Sequence, residues 1–155
     1  MANITVRQAV QADVEALAEI VLRYRCFQGV AVQDVQQICA FLRTRMENGE
    51  SVVFIAVDES AGAIVGFVQL YPTFSTVSLE RQWLLNDFYV DEHKRNAGIG
   101  TLLMEAVKAH FSGKAKGFIL IAEKTNTGAK RFYGRHGWKT DHFDFYSYFY
   151  DAQDE

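Results

Sequence analysis

The segment Arg95-Asn96-Ala97-Gly98-Ile99-Gly100 has the composition of an anion cradle. It joins the apolar run Trp83 to Val90 to the amphipathic run Thr101 to Phe111. A strand, a tight glycine turn and a helix are therefore predicted in that order. Such a turn aims several backbone N–H groups at one point, and the helix dipole favours negative charge there. Glycine matters because a side chain would hold an anion away from the backbone. The N–H groups of residues 96 to 101 are expected to grip a diphosphate, with the charge of Arg95 nearby. A plain strand-to-helix turn, its glycines relieving crowding, would carry the same letters. A dinucleotide-binding fingerprint does not fit, because Leu103 stands where its third glycine belongs.

No second chemistry competes with the cradle. His93, His110, His136 and His142 form neither a His-Glu-x-x-His pair nor a Cys/His cluster, so no metal site is expected. Cys26 and Cys39 read as small buried apolar residues rather than a disulfide framework. An apolar fraction of 49% supports a packed core and argues against general disorder. The net charge of -3 and the lack of a Lys/Arg block argue against a nucleic-acid partner. No apolar run approaches the ~20 residues of a membrane span. The N-terminus shows no basic stretch leading into a long apolar one, so a cytoplasmic location is the default expectation.

The elements that must position the turn follow from periodicity. Ile4 to Ala9 alternates as a strand. Asp13 resembles a helix cap before Val14, Leu17, Ile20 and Val21. A second helix is predicted over Val32 to Met46, with Val35, Ile38, Cys39 and Leu42 buried. Ser51 to Val57 and Ala63 to Tyr71 flank a polar turn and read as a hairpin ended by Pro72. Thr73 to Ser78 is expected to be a loop, and Arg81 to Val90 the next strand. The helix after the turn buries Ile99, Leu102, Leu103, Ala106 and Val107. Gly117 to Ala122 reads as a strand, Asn126 to His136 as a helix, and Trp138 to Tyr150 as one or two closing strands. The expectation is one α/β domain over 1–150, a mixed sheet with a parallel pair around the central helix, and an acidic tail, Asp151 to Glu155.

Two blocks then carry a resemblance. Arg95-x-x-Gly98-x-Gly100 matches the Q/R-x-x-G-x-G/A signature of the GNAT acetyltransferase superfamily. Asn126-x-x-Ala129-x-x-Phe132-Tyr133-x-x-x-Gly137-Trp138 resembles the family's second block, at typical spacing. Val6-Arg7-x-Ala9, with Asp13 downstream, looks like its first strand and helix. Leu85-Asn86-Asp87-Phe88-Tyr89-Val90 looks most like the diamine acetyltransferase branch and its bacterial relatives. That branch commonly has Glu-Asp where Asn86-Asp87 stands, and many members carry proline in place of Glu92. The resemblance implies a GNAT-like mixed sheet of roughly six to seven strands flanked by about four helices.

It also implies an activity: acetyl transfer from acetyl-CoA, as co-substrate, to a primary amine of a small molecule. The cradle of Arg95, Asn96, Ala97, Gly98, Ile99, Gly100 and Thr101 would then hold the pyrophosphate of CoA. The backbone of Phe88, Tyr89 and Val90 would meet the pantetheine arm, and an N–H at Phe88 or Tyr89 would polarise the thioester carbonyl. Tyr133 would protonate the leaving thiolate, with packing against the sheet as its plainer reading. Asn126 and Ala129 would line the cofactor arm, and Asn126 also reads as a helix cap. Asp87 is the candidate base and Asn86 could orient a water. In a regular strand these two point to opposite faces, so only a bulge would let both line one pocket.

The resemblance further places acceptor recognition at Tyr24, Phe27, Tyr71, Phe74, Glu80 and the run Phe143 to Tyr150. In that run Phe143, Phe145 and Phe149 share one face, and Asp144, Tyr146, Tyr148 and Tyr150 the other. It reads as a cation-binding surface or, preferred here, as a core face plus a face between two copies of a homodimer. A protein lysine or N-terminal acetyltransferase and a non-catalytic CoA-binding sensor are the alternative functions.

Overall fold

The computed structural model describes residues 3–31 and 34–150. The acidic tail and the predicted start of the second helix at Val32 lie outside the described residues. The chain divides into two compact units, residues 1–121 and 122–155.

The first unit contains β1 (Ile4–Gln8), α1 (Val14–Phe27), α2 (Val35–Glu47), β2 (Val52–Asp58), β3 (Ala63–Ser75), β4 (Glu80–Val90), α3 (Ile99–Phe111) and β5 (Phe118–Ile119). The strands lie in the order β1-β2-β3-β4-β5. The first three pairings are antiparallel, and β4 pairs with β5 in parallel, as expected around the helix that connects them.

The run Val52 to Val57 is apolar at every position because β2 is covered on both faces. Val53 and Ile55 join Leu17, Ile20, Ile38 and Leu42 of α1 and α2 in one core. Phe54, of opposite parity, meets His110 of α3 at 5.3 Å between ring centroids. α3 buries Ile99, Leu103, Met104, Val107 and Phe111, while Leu102, expected inside, is 46% exposed. Cys39 is buried as predicted, and Cys26 is exposed.

Three other expectations change. Asp13 stands at the start of α1 but does not cap it with its side chain. Its carboxylate turns back to take two 2.8 Å hydrogen bonds from the Arg7 guanidinium and one from Val10 N. That charge-assisted fork ties β1 to the α1 entry and holds the Asp13 carboxyl below its usual range. Pro72 does not end β3, which continues to Ser75. Pairing with β2 stops at Leu70, so beyond it the ladder needs no N–H on that side. Among the described residues the sheet has five strands rather than six to seven, and β5 is only two residues long.

The second unit contains α4 (Thr127–Arg135). Among its described residues, the predicted closing strands over 138–150 are absent. Phe143, Phe145, Tyr146, Tyr148 and Tyr150 are exposed there, and an alternating pattern without a pairing partner does not make a strand.

α3 approaches the sheet closely at one point. A Cβ on Gly66 of β3 would lie 3.1 Å from the Tyr89 carbonyl oxygen and 3.2 Å from Leu103 Cδ1. The first neighbour is backbone and cannot swing aside. Gly66→Val should therefore lower unfolding free energy by about 1–3 kcal/mol in urea titrations. An unchanged midpoint would show that the helix seat is looser than these distances require.

Candidate active site

The predicted cradle is a left-handed turn. Asn96 and Gly98 have φ of 64° and 80°. Asn tolerates that region better than most side chains, and glycine adopts it freely. Asp91 caps the short 3-10 turn Glu92–Lys94 by accepting from His93 N at 3.0 Å, so no proline is needed there. Gly98 is the N-cap of α3 and supplies no side-chain cap. Leu102 N, on Gly98 O at 3.1 Å, makes the first bond of the helix ladder. Ile99, Gly100 and Thr101 form the first turn of α3 behind it. A Cβ on Gly98 would meet nothing within 4 Å, so the space above the turn is open.

Arg95 is fixed beside this mouth. Its Nε donates to the Val90 carbonyl at 3.0 Å, and its guanidinium lies 5.0 Å over Phe27 and 5.4 Å over Tyr89. Phe27 therefore braces Arg95. The Tyr89 side chain is core, packed on Tyr24 and Phe67. Only its backbone remains available to a ligand. The parallel ladder ends at Leu84↔Ile119, so Leu85 to Val90, with Phe88 and Val90 among them, pair in the sheet with β3 alone.

Asn86 is an extra residue. The register runs Leu70↔Leu85 and then Gln69↔Asp87, with Asn86 bulged out of the ladder. The insertion reverses the facing of everything after it. Trp83 stacks on Phe111 of α3, whereas Tyr89, of the same parity, packs on Tyr24 of α1. Without the bulge Asp87 would face α3. With it, both Asn86 and Asp87 line a cavity of about 370 Å³ between the sheet and the α1–α2 pair.

That cavity concentrates polar groups at one end. Asp87 Oδ2 accepts from Gln69 Nε2 at 3.2 Å and from Asn86 Nδ2 at 3.0 Å. Gln69 is 5% exposed, and its Oε1 is buried with no hydrogen-bond partner among the described residues. Tyr71 lines the same end, and its phenol is pushed up to about 12, first by burial and then by the charge of Asp87. Of the residues expected to recognise the acceptor, Tyr24 and Tyr71 line this cavity. Phe74 does not. It is exposed beneath the Arg81 guanidinium, 4.5 Å away, and Glu80 is at the exposed start of β4. Gln69 was missed, although an amide inside the apolar run Ile64 to Leu70 was its available signal.

In the second unit, Asn126 caps α4 by accepting from Ala129 N at 3.0 Å. Tyr133 is partly buried between Phe132 and Trp138, each 5.6 Å away. Burial raises its pKa above the ordinary 10.0, so the phenol stays protonated at neutral pH.

Residues 48–140 match the acetyltransferase (GNAT) domain family. The chain is 42% identical over 138 residues to YhfO, an uncharacterized N-acetyltransferase of Bacillus subtilis, covering 88% of this chain and 90% of that one. It is 39% identical over 118 residues to a probable acetyltransferase of Haemophilus influenzae, covering 75% and 77% respectively. The crystal structure of a probable acetyltransferase superposes with a TM-score of 0.86 at 30% identity, covering 97% of this chain and 99% of that one. The chain belongs to the GNAT acetyltransferase family, and the fold is that of the family. Membership implies acetyl-CoA as the donor.

The open turn at Gly98 gives a direct test of the cradle. Gly98→Val should weaken CoA binding at least tenfold by calorimetry, because a branched side chain would occupy the space an anion needs. Unchanged affinity, with the variant folded, would remove the turn from the binding site.

Proposed function

We propose that the protein transfers the acetyl group of acetyl-CoA to the primary amine of a small molecule, by direct attack in a ternary complex. The observation that supports this most is the Asp87–Gln69–Asn86 cluster in the wall of the cavity. A carboxylate whose side-chain partners are neutral amides suits an ammonium group, which brings three donors and no acceptor. A cavity of about 370 Å³ is the size of a small-molecule site.

The groups have separate tasks. CoA's pyrophosphate rests on the mouth of α3, with Arg95 adding charge. The pantetheine arm runs along the edge of β4, and a backbone N–H at Phe88 or Tyr89 polarises the thioester carbonyl. The ammonium gives a proton to Asp87 or to water held by Asn86. Its nitrogen then forms a bond to the carbonyl carbon, gives up its second proton to solvent, and the carbon–sulfur bond breaks. The sulfur takes a proton from Tyr133, which is reprotonated from solvent. Asn126 and Ala129, at the start of α4, orient the cofactor arm.

Release of free thiol from acetyl-CoA with a panel of amines tests the reading. Turnover with at least one small amine is expected, and CoA binding without any turnover would point to a sensor. Tyr133→Phe should lower kcat about 100-fold or more while leaving the acetyl-CoA Kd within about twofold. A proton donor must hold its proton, and burial raises the Tyr133 pKa. The alkaline fall in wild-type kcat should therefore lie above pH 10.0. Equal rates for the variant and wild type would remove Tyr133 from the chemistry.

A further inference from the structure

The wall of the cavity also carries a group that an amine site alone does not need. Arg25, in the last turn of α1, lines the cavity. It makes no ion pair among the described residues, unlike Arg23, Arg43 and Arg45, which pair with Asp91, Glu15 and Glu50. Asp87 likewise has amide partners and no cationic one. Asp87 and Arg25 are the sole acid and sole base lining the cavity among the described residues. The wall around them is apolar, with Val21, Ile38, Phe41 and Leu42 contributed by α1 and α2.

Resting on the acetyl-transfer reading, we propose that the acceptor is a zwitterion: a small molecule carrying an amine and a carboxylate on an apolar body, as an amino acid does. Its ammonium meets Asp87, and its carboxylate meets Arg25. Each of these two fixed charges is neutralised by the ligand, which the described residues leave undone. Arg suits the second contact because its planar fork matches a carboxylate. A diamine fits poorly. Its second ammonium would face Arg25, and no second acid lines the cavity to receive it. A simple alkyl amine would leave Arg25 unmatched. Arg25 is also well placed to complement the C-terminal end of α1, a role that would leave acceptor choice untouched.

The test compares four acceptors of similar size with the intact protein: leucine, leucinamide, isopentylamine and a five-carbon diamine. Wild type should use leucine with a kcat/KM at least tenfold above the other three. The lower amine pKa of leucinamide raises its free-amine fraction, so that bias runs against the expected order. Arg25→Gln should bring the leucine-to-leucinamide ratio close to one, and Arg25→Lys should restore part of it. A dipole-balancing role for Arg25 would change stability and leave the ratio intact. Should Arg25→Gln fail to fold, the wild-type ratio and Arg25→Lys still decide. Leucinamide or the diamine matching leucine in wild type overturns the proposal, as does a preference that survives Arg25→Gln. If no amine turns over, the acetyl-transfer reading fails. Calorimetry on the CoA-loaded protein then judges the zwitterion separately: leucine bound more tightly than leucinamide supports it, and equal binding or none overturns it.

Discussion

One inserted residue sets the chemistry of the cavity. Asn86 stands outside the β3–β4 ladder, and the strand after it faces the other way. The cost is a local break in pairing and the exposure of Asn86. In return, a carboxylate that a regular strand would press against α3 opens toward α1 and α2. The same shift sends Tyr89 into the core with Tyr24 and Phe67, which secures the end of β4 where the turn begins. Cavity and cradle are thus positioned by a single irregularity on one strand.

The cradle depends on a second constraint, the close seat of α3. Gly66 lets Leu103 and the β4 backbone approach without intervening side-chain bulk. α3 is held by an apolar face that includes Ile99 at its first residue, so its N-terminal end is pinned at its base. Arg95 is tied to the Val90 carbonyl and braced on two rings, with no acidic partner among the described residues. In the proposed reading, such preorganised groups would meet an anion without first having to be ordered.

Much of this was legible in the letters. Glycine spacing announced the turn, and period and β-branching announced the hairpin and the helix that follows the cradle. The bulge was not legible, because Trp83 to Val90 has apolar residues of both parities and a slip in phase leaves no gap in the pattern. Asp13 misled because a carboxylate before an apolar run satisfies the cap rule equally well when it bonds backward to Arg7. The aromatic run Phe143 to Tyr150 alternates as a strand does, yet alternation specifies facing and not a partner. Arg25 was invisible as a site residue, since a cation in a helix's last turn is ordinary.

The central claim is that the acceptor amine sits beneath the Asn86 bulge. A crystal structure with CoA and leucine bound together tests it most directly. The amine nitrogen is predicted within about 3 Å of Asp87, with the carboxylate toward Arg25. Leucine bound elsewhere, with Asp87 still facing no cation, would contradict the account.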